Sequence, residues 1–266
     1  MHRILRTTAA TLIVCAACFA TAATAQAPSP GTSPPGANDF SCKPSKGHTR
    51  PVVLVHGTFA DMSVSWNALS PMLADAGYCV FALDYGGRGL GPIEDSAAEL
   101  EAFVDRVLDS TGARKVAIVG HSQGGMMPRY YMKFLGGDKK VAELIGLVPS
   151  NHGTDTALAP FVPSCPACQE QVAGSPFLQK LNAGDETPGR RISYTQITTV
   201  NDEVVTPYTS AFLQGPKTTN IVVQDKCPSD STEHLQIIYD PVALQWVENA
   251  LHRKGRPADP AFTPDC

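Results

Sequence analysis

The most constraining feature of the sequence is a serine with a glycine two residues away on either side, between a strand-like and a helix-like segment. Residues 120–124 read Gly-His-Ser-Gln-Gly; they follow the mostly apolar run 115–119 and precede residues 126–135, which read as a helix. So tight a turn needs neighbours without side chains, and it holds the serine in a strained conformation beside a helix N-terminus. The pattern is typical of a nucleophile elbow and indicates Ser122 as the nucleophile.

Short apolar runs alternate with helix-length segments through most of the chain. The runs typical of strands buried on both faces lie at residues 51–55, 79–83, 116–119, 144–148, 193–200 and 220–224. Helices are predicted at residues 66–76, 94–110, 126–135 and 241–252. This alternation predicts an α/β fold with a mostly parallel six-stranded sheet, flanked by helices. The proline-containing residues 151–187 are expected to form a loop-rich excursion over the C-terminal edge of the sheet.

The N-terminal segment has the composition of an export signal. Residues 1–25 combine a basic start, an apolar stretch and an Ala-Thr-Ala ending, which predicts a secretory signal peptide cut after Ala25. A lipoprotein attachment at Cys18 is the alternative, although Cys15 stands where such sites usually have leucine. We therefore expect the protein to be secreted.

The remainder is expected to be a short linker and one domain. Residues 26–38 are mainly Pro, Ser, Gly, Thr and Ala, which predicts a flexible linker with nothing to bury. Residues 39–266 suit a single α/β catalytic domain. The apolar stretch of the leader is too short for a transmembrane helix, and the net charge of −4 comes with no basic block. We expect no transmembrane segment, no nucleic-acid partner and a monomer.

Six cysteines remain once Cys15 and Cys18 leave with the signal peptide. An even number in an exported chain argues for disulfides, although several connectivities are open. The favoured pairs are Cys42–Cys79, Cys165–Cys168 and Cys227–Cys266. The Cys-Pro-Ala-Cys segment could instead be read as a redox or zinc motif. It lies in a proline-rich loop, and no second close pair or spaced histidine completes a metal site, so we expect a structural loop and no metal.

A nucleophilic serine needs a histidine base and an acid that orients the base and stabilises its charged form. Downstream of Ser122, His234 lies in the loop after the last strand, where the base belongs, whereas His252 falls in the last turn of the final helix. Asp202 directly follows a predicted strand and is the preferred acid. Its weaker competitors are Glu203, Asp225 and Asp230.

Attack on an ester carbonyl also needs hydrogen-bond donors for the developing oxyanion. One expected donor is the backbone N–H of Gln123, the residue after the nucleophile. The other is expected from residues 56–59, His-Gly-Thr-Phe, which follow the first strand. There Thr58 is placed to offer its N–H and its hydroxyl.

Four motifs in the same order resemble the secreted actinobacterial class 2 lipases: residues 56–59, 120–125, 201–207 and 233–234. The resemblance runs from about residue 38 to the C-terminus, and the chain is similar, more distantly, to Candida antarctica lipase B. It implies an α/β-hydrolase fold, a Ser122, Asp202 and His234 triad, and no cofactor. It also implies Thr58 and Gln123 as oxyanion donors. The Cys165–Cys168 loop has no match in the fungal protein, so the resemblance does not predict the shape of the acyl pocket.

These features indicate a secreted serine carboxylic-ester hydrolase, a lipase or esterase that cleaves apolar acyl esters such as acylglycerols through an acyl-enzyme. Its expected partner is an apolar ester substrate at a lipid–water or polymer surface. One alternative is a cutinase-like polyesterase, and others are a perhydrolase or peptidase that uses the same triad. A catalytically silent binding module is the alternative from another class, but it would normally come with a broken triad.

Overall fold

The computed structural model describes residues 31–156 and 164–266 of the chain. Six strands form one all-parallel sheet in the order β2-β1-β3-β4-β5-β6. Their bounds are β1 Val52–Val55, β2 Val80–Leu83, β3 Val116–His121, β4 Val141–Leu147, β5 Ser193–Thr198 and β6 Thr218–Val222. The predicted six-stranded α/β fold is thereby confirmed. The predicted signal peptide lies outside the described residues.

Helices connect and cover the strands. They are α1 Met62–Ser65, α2 Leu69–Asp75, α3 Gly86–Gly89, α4 Ile93–Thr111, α5 Gln123–Phe134, α6 Pro166–Glu170, α7 Pro176–Asn182, α8 Val223–Lys226 and α9 Pro241–His252. The prediction for α9 is confirmed, and α4 differs from its prediction by one residue at each end. The helix predicted at 66–76 is confirmed only in part, as α2 from Leu69 to Asp75, and the short helix α1 before it was not predicted. In the described parts of the chain, no helix is long and apolar enough to cross a bilayer.

The sheet is buried on both faces because helices pack against each of them. Every residue of β1 to β5 is buried, as expected of a parallel sheet with long apolar runs. On one face α4 and α5 bury side chains such as Leu100 and Met126. On the other face α2 and α9 bury side chains such as Leu73 and Trp246. Burying one such side chain contributes roughly 1.5–3 kcal/mol, so these two clusters fix the sheet and its edges in place.

Each strand differs from its predicted range by one to three residues at one end or both, and two of these differences have local reasons. β4 begins at Val141, three residues before the predicted start. The apolar pattern missed this start because a buried acidic residue in the strand interrupts the apolar run. That residue, Glu143, is paired with Arg50 over 3.1 Å. β6 ends at Val222 rather than at residue 224, and the chain turns into α8. The turn buries Val223 in the core.

The linker interpretation is wrong for residues 34–38. Pro34 is buried, and Ala37 pairs with Val80 in a parallel bridge that extends the edge of the sheet beside β2. The side chain of Asn38 accepts a hydrogen bond from the Ala82 N–H and donates one to the Ala82 carbonyl, each over 2.9 Å. A segment without large apolar side chains therefore docks through hydrogen bonds to the open backbone of an edge strand. Residues 26–30 lie outside the described part of the chain.

All three expected disulfides are present. Cys42 pairs with Cys79, Cys165 with Cys168, and Cys227 with Cys266. The first joins the N-terminal segment to the start of β2, and the last joins the end of α8 to the C-terminal residue. The middle pair closes the first turn of α6, which belongs to the excursion predicted at residues 151–187.

Candidate functional site

The strand-to-helix turn at Ser122 has the strained geometry expected of a nucleophile elbow. Ser122 has φ 53° and ψ −123°, directly between β3 and α5. A Cβ on Gly120 would lie 1.8 Å from the Gly124 carbonyl oxygen, and one on Gly124 would lie 2.2 Å from the Val55 carbonyl oxygen. Side chains at these two positions are therefore excluded by the backbone itself. The Ser122 N–H donates to the Leu147 carbonyl over 2.9 Å, which anchors the turn to β4.

Asp202 and His234 meet at the C-terminal edge of the sheet, in the loops that follow β5 and β6. The Nδ1 atom of His234 lies 2.9 Å and 3.0 Å from the two carboxylate oxygens of Asp202. The backbone N–H groups of Val204 and Val205 donate to Asp202 Oδ1 over 3.0 Å and 2.8 Å. Both side chains are buried. The carboxylate is thus fixed by its own loop, and it holds Nδ1 of the imidazole as the donor.

A second set of hydrogen bonds ties these two loops together. The Thr199 hydroxyl donates to the Thr232 carbonyl over 2.8 Å. The side-chain amide of Gln224 donates to the Thr199 hydroxyl over 2.9 Å and to the Asp230 carbonyl over 3.2 Å. Because the two loops are joined just before the acid and just before the histidine, the Asp202–His234 pair is held by the backbone that carries it.

His121 places His234 beside the elbow. The His121 ring lies 5.1 Å from the His234 ring, between centroids, and its Nε2 lies 2.9 Å from the His234 carbonyl oxygen. Burial, and then the neighbouring His234, lower the pKa of His121 to about 3. A neutral His121 therefore donates from Nε2 to that carbonyl. In the described residues no hydrogen bond joins Ser122 Oγ to the His234 ring; such contacts often tighten only when substrate binds.

The other acidic and basic candidates lie elsewhere. Of the four carboxylates considered, Asp202 is the one that contacts the His234 ring. Glu203 and Asp225 are exposed, and the backbone carbonyl of Asp230 accepts from Gln224. His252, the other histidine considered as the base, is exposed at the end of α9.

Thr58 and Gln123 are neighbours at the elbow. A Cβ on Gly57 would lie 3.1 Å from the Ser122 Cβ, so the loop after β1 lies directly against the nucleophile. The Thr58 hydroxyl donates to Gln123 Oε1 over 3.1 Å. It also accepts from the side-chain amide of Gln171 over 3.0 Å. The two predicted oxyanion donors thus adjoin Ser122. Nothing in the sequence distinguished Gln171 from the other polar residues of its loop-rich segment.

Exposed apolar side chains lie in or beside the loops that carry the site. Seven large apolar side chains are exposed in the described residues, and six of them lie in these loops or in the short helix α1 that follows the loop after β1: Phe59, Val64, Val200, Val204, Leu235 and Tyr239. Clusters of this kind mark surfaces that contact apolar partners.

Comparisons with known proteins are consistent with this architecture. Over 87 residues the chain is 38% identical to a triacylglycerol lipase of Pseudarthrobacter phenanthrenivorans and 38% identical to one of Burkholderia plantarii. These alignments cover 30% of this chain and 27% and 24% of the two relatives, so the chain spans about a quarter of their length. The crystal structure of Aspergillus fumigatus lipase B superposes with a TM-score of 0.74 at 22% identity, over 86% of this chain and 57% of that one.

The family itself is shown by a match over most of the chain. The sequence pattern described as Lipase (class 2) matches residues 49–247. This range contains the elbow, the acid and the histidine described above, together with all six strands of the sheet. The chain belongs to the class 2 lipase family of α/β-hydrolases.

Proposed function

We propose that this protein hydrolyses apolar carboxylic esters, with Ser122 as the nucleophile, His234 as the general base and Asp202 as the orienting acid. The observation that carries the proposal is the buried Asp202–His234 contact held beside the strained Ser122 elbow by His121. Membership of the class 2 lipase family supports it independently of this geometry.

The reaction follows from what each group can donate or accept. Ser122 Oγ attacks the ester carbonyl carbon and its proton passes to Nε2 of His234, while Asp202 stabilises the resulting imidazolium. The negative charge on the carbonyl oxygen is met by the Gln123 N–H and by Thr58; each such donor is typically worth about 10²–10³ in turnover. The intermediate then collapses, and the alcohol leaves with the proton from His234. Water repeats the sequence on the acyl-enzyme and releases the acid.

The exposed apolar side chains around the site favour a substrate presented at a surface. Phe59 and Leu235 are more than half exposed next to the proposed oxyanion loop and base. An acylglycerol at a lipid–water interface would cover them, and so would an insoluble polyester, which keeps a cutinase-like polyesterase as the second candidate. The three disulfides suit an oxidising compartment, and we propose that the protein is secreted after loss of residues 1–25.

Covalent labelling separates an enzyme from a silent binding module. An alkyl p-nitrophenyl phosphonate should add one phosphonyl group to Ser122, as seen by peptide mass spectrometry, and should abolish ester hydrolysis. Ser122→Ala should resist labelling and lose activity, whereas Ser45→Ala at an exposed position should behave as wild type. Folded protein left unmodified at Ser122 would refute the proposal. A p-nitrophenyl ester chain-length series beside long-chain triglyceride and polyester emulsions then distinguishes lipase, esterase and polyesterase.

A further inference from the structure

A cationic cavity lies at the N-terminal ends of the strands, opposite the C-terminal ends that carry the candidate catalytic site. It has a volume of about 570 Å³ and is lined in part by residues just before β1, β3 and β5. Six of its nine lining residues are cationic: Arg50, Arg114, Lys115, Lys139, Arg191 and Lys254. The whole chain carries a net charge of −4, so this local concentration of positive charge is not a consequence of overall composition.

Most of this charge is not neutralised by the described part of the protein. Within residues 31–156 and 164–266 the six cations form one ion pair, in which Arg50 contacts the buried Glu143 over 3.1 Å. Lys115 Nζ donates instead to the carbonyls of Asp138 and Val141, over 3.3 Å and 2.8 Å. These neutral contacts hold the ammonium at the cavity while leaving its charge available to a ligand.

The cations are close enough to disfavour one another. The pKa of Lys115 is lowered, first by partial burial and then by the Arg191 guanidinium, with Arg50 acting in the same direction and Asp138 opposing. Like charges held together in a concave site with low-dielectric walls attract counter-ions strongly. An anion bound between these side chains would relieve their mutual repulsion.

We propose that this cavity binds a small, multiply charged phosphate anion, of the class of linear polyphosphates. Three of the six cations are arginines, whose planar guanidinium groups match the oxygen geometry of phosphate with paired hydrogen bonds. Three lysines add compact charges that contact further oxygens. Six cations opposed by one partnered carboxylate call for a ligand with several negative charges rather than one. A cavity of about 570 Å³ has room for a short chain of phosphate groups.

The position of the cavity favours a soluble anion over the headgroup of a phospholipid bilayer. Lys115 immediately precedes β3, whereas Ser122 immediately follows it. A six-residue strand spans roughly 20 Å, so the two sites lie at opposite edges of the sheet. A bilayer docked on the cavity would leave the candidate ester site facing away from it. A soluble ligand would bind without covering Ser122.

Calorimetric titration of the full chain with sodium tripolyphosphate at low salt tests the proposal. The double variant Arg114→Gln/Arg191→Gln changes two exposed cavity residues and should weaken binding at least tenfold. Lys43→Gln/Lys226→Gln removes the same charge elsewhere and should change the affinity less than twofold. Ester hydrolysis should be unchanged in both, which also shows that they fold.

Two outcomes would overturn it. The first is no heat of binding from wild type at millimolar tripolyphosphate, and the second is equal weakening in both double variants. If wild type gives no heat of binding but sediments with vesicles of phosphatidylcholine and phosphatidic acid, the surface is a lipid contact instead. Because ester hydrolysis is measured separately, failure here leaves the proposed hydrolase function standing.

Discussion

The side-chain amide of Gln171 donates a hydrogen bond to the Thr58 hydroxyl over 3.0 Å, across 113 positions of sequence. Gln171 is itself fixed, because its Oε1 accepts from the Ser150 hydroxyl over 2.7 Å and its amide also donates to the Ala167 carbonyl over 3.1 Å. The Thr58 proton meanwhile points to Gln123 Oε1. Gln171 therefore fixes the hydroxyl oxygen, and the proton would have to leave Gln123 Oε1 to reach an oxyanion in the proposed reaction.

The first prediction concerns this positioning contact. Gln171→Met keeps the length of the side chain but removes the donor, and it should lower kcat about three- to tenfold, the worth of one neutral hydrogen bond. KM should change little, because in the proposed mechanism the Thr58 hydroxyl acts mainly when charge develops on the substrate. Steady-state hydrolysis of p-nitrophenyl butyrate measures both. The exposed Gln179→Met is the control, and a loss confined to KM would contradict the assignment.

The second prediction concerns Thr58 itself. Thr58→Val removes the hydroxyl but keeps the backbone N–H, so the loss of kcat should stay at or below the ~10²–10³ typical of a complete oxyanion donor. Thr58→Ser should recover most of the lost rate, since it restores the hydroxyl on a smaller side chain. Single-turnover acylation of Ser122 is the measurement. Equal rates for wild type and Thr58→Val would show that the hydroxyl is idle.

The third prediction tests the docked N-terminal segment. Asn38→Ala removes both side-chain hydrogen bonds to Ala82 and places alanine at φ 67°, which should cost about 2 kcal/mol of unfolding free energy. In a domain of this size that lowers Tm by roughly 4–8 °C in a calorimetric scan. Ser229→Ala, at an exposed position away from the N-terminal segment, is the control. A Tm equal to wild type would mean that residues 34–38 add nothing to the fold.

Local pattern was sufficient for the sheet and the elbow, because both depend on neighbours in sequence. Buried parallel strands are continuous apolar runs, and the elbow needs its two glycines at fixed offsets from Ser122. The contact between Asp202 and His234 was predicted from the order of elements, since the C-terminal ends of parallel strands meet at one edge of the sheet.

What could not be predicted depends on contacts between distant segments. Residues 34–38 dock through backbone and amide hydrogen bonds, for which polar composition gives no signal. Gln171 resembles any polar loop residue until the fold brings it to Thr58. The cationic cavity draws on five separate stretches between residues 50 and 254, none of them a basic block, so only the strand order gathers the charges.

The last prediction concerns Glu143, a buried carboxyl that lies away from the candidate catalytic site. Burial raises its pKa from 4.5 to about 7, although Arg50 at 3.1 Å acts in the opposite direction. Between these two pH values the folded protein retains a proton that the unfolded chain has released. The contribution of Glu143 to stability therefore falls as pH rises through that window, by up to about 3 kcal/mol.

Glu143→Gln removes this titration while keeping a side chain of the same shape. The Tm of the variant minus that of wild type should therefore increase between pH 4.5 and pH 8, because only wild type must bury a charge at the higher pH. Taking the difference cancels groups common to both proteins, including His121, whose lowered pKa makes the fold less stable as pH falls below 6.5. Parallel Tm curves would show that Arg50 compensates the buried carboxylate fully, in which case the pKa of Glu143 is not raised.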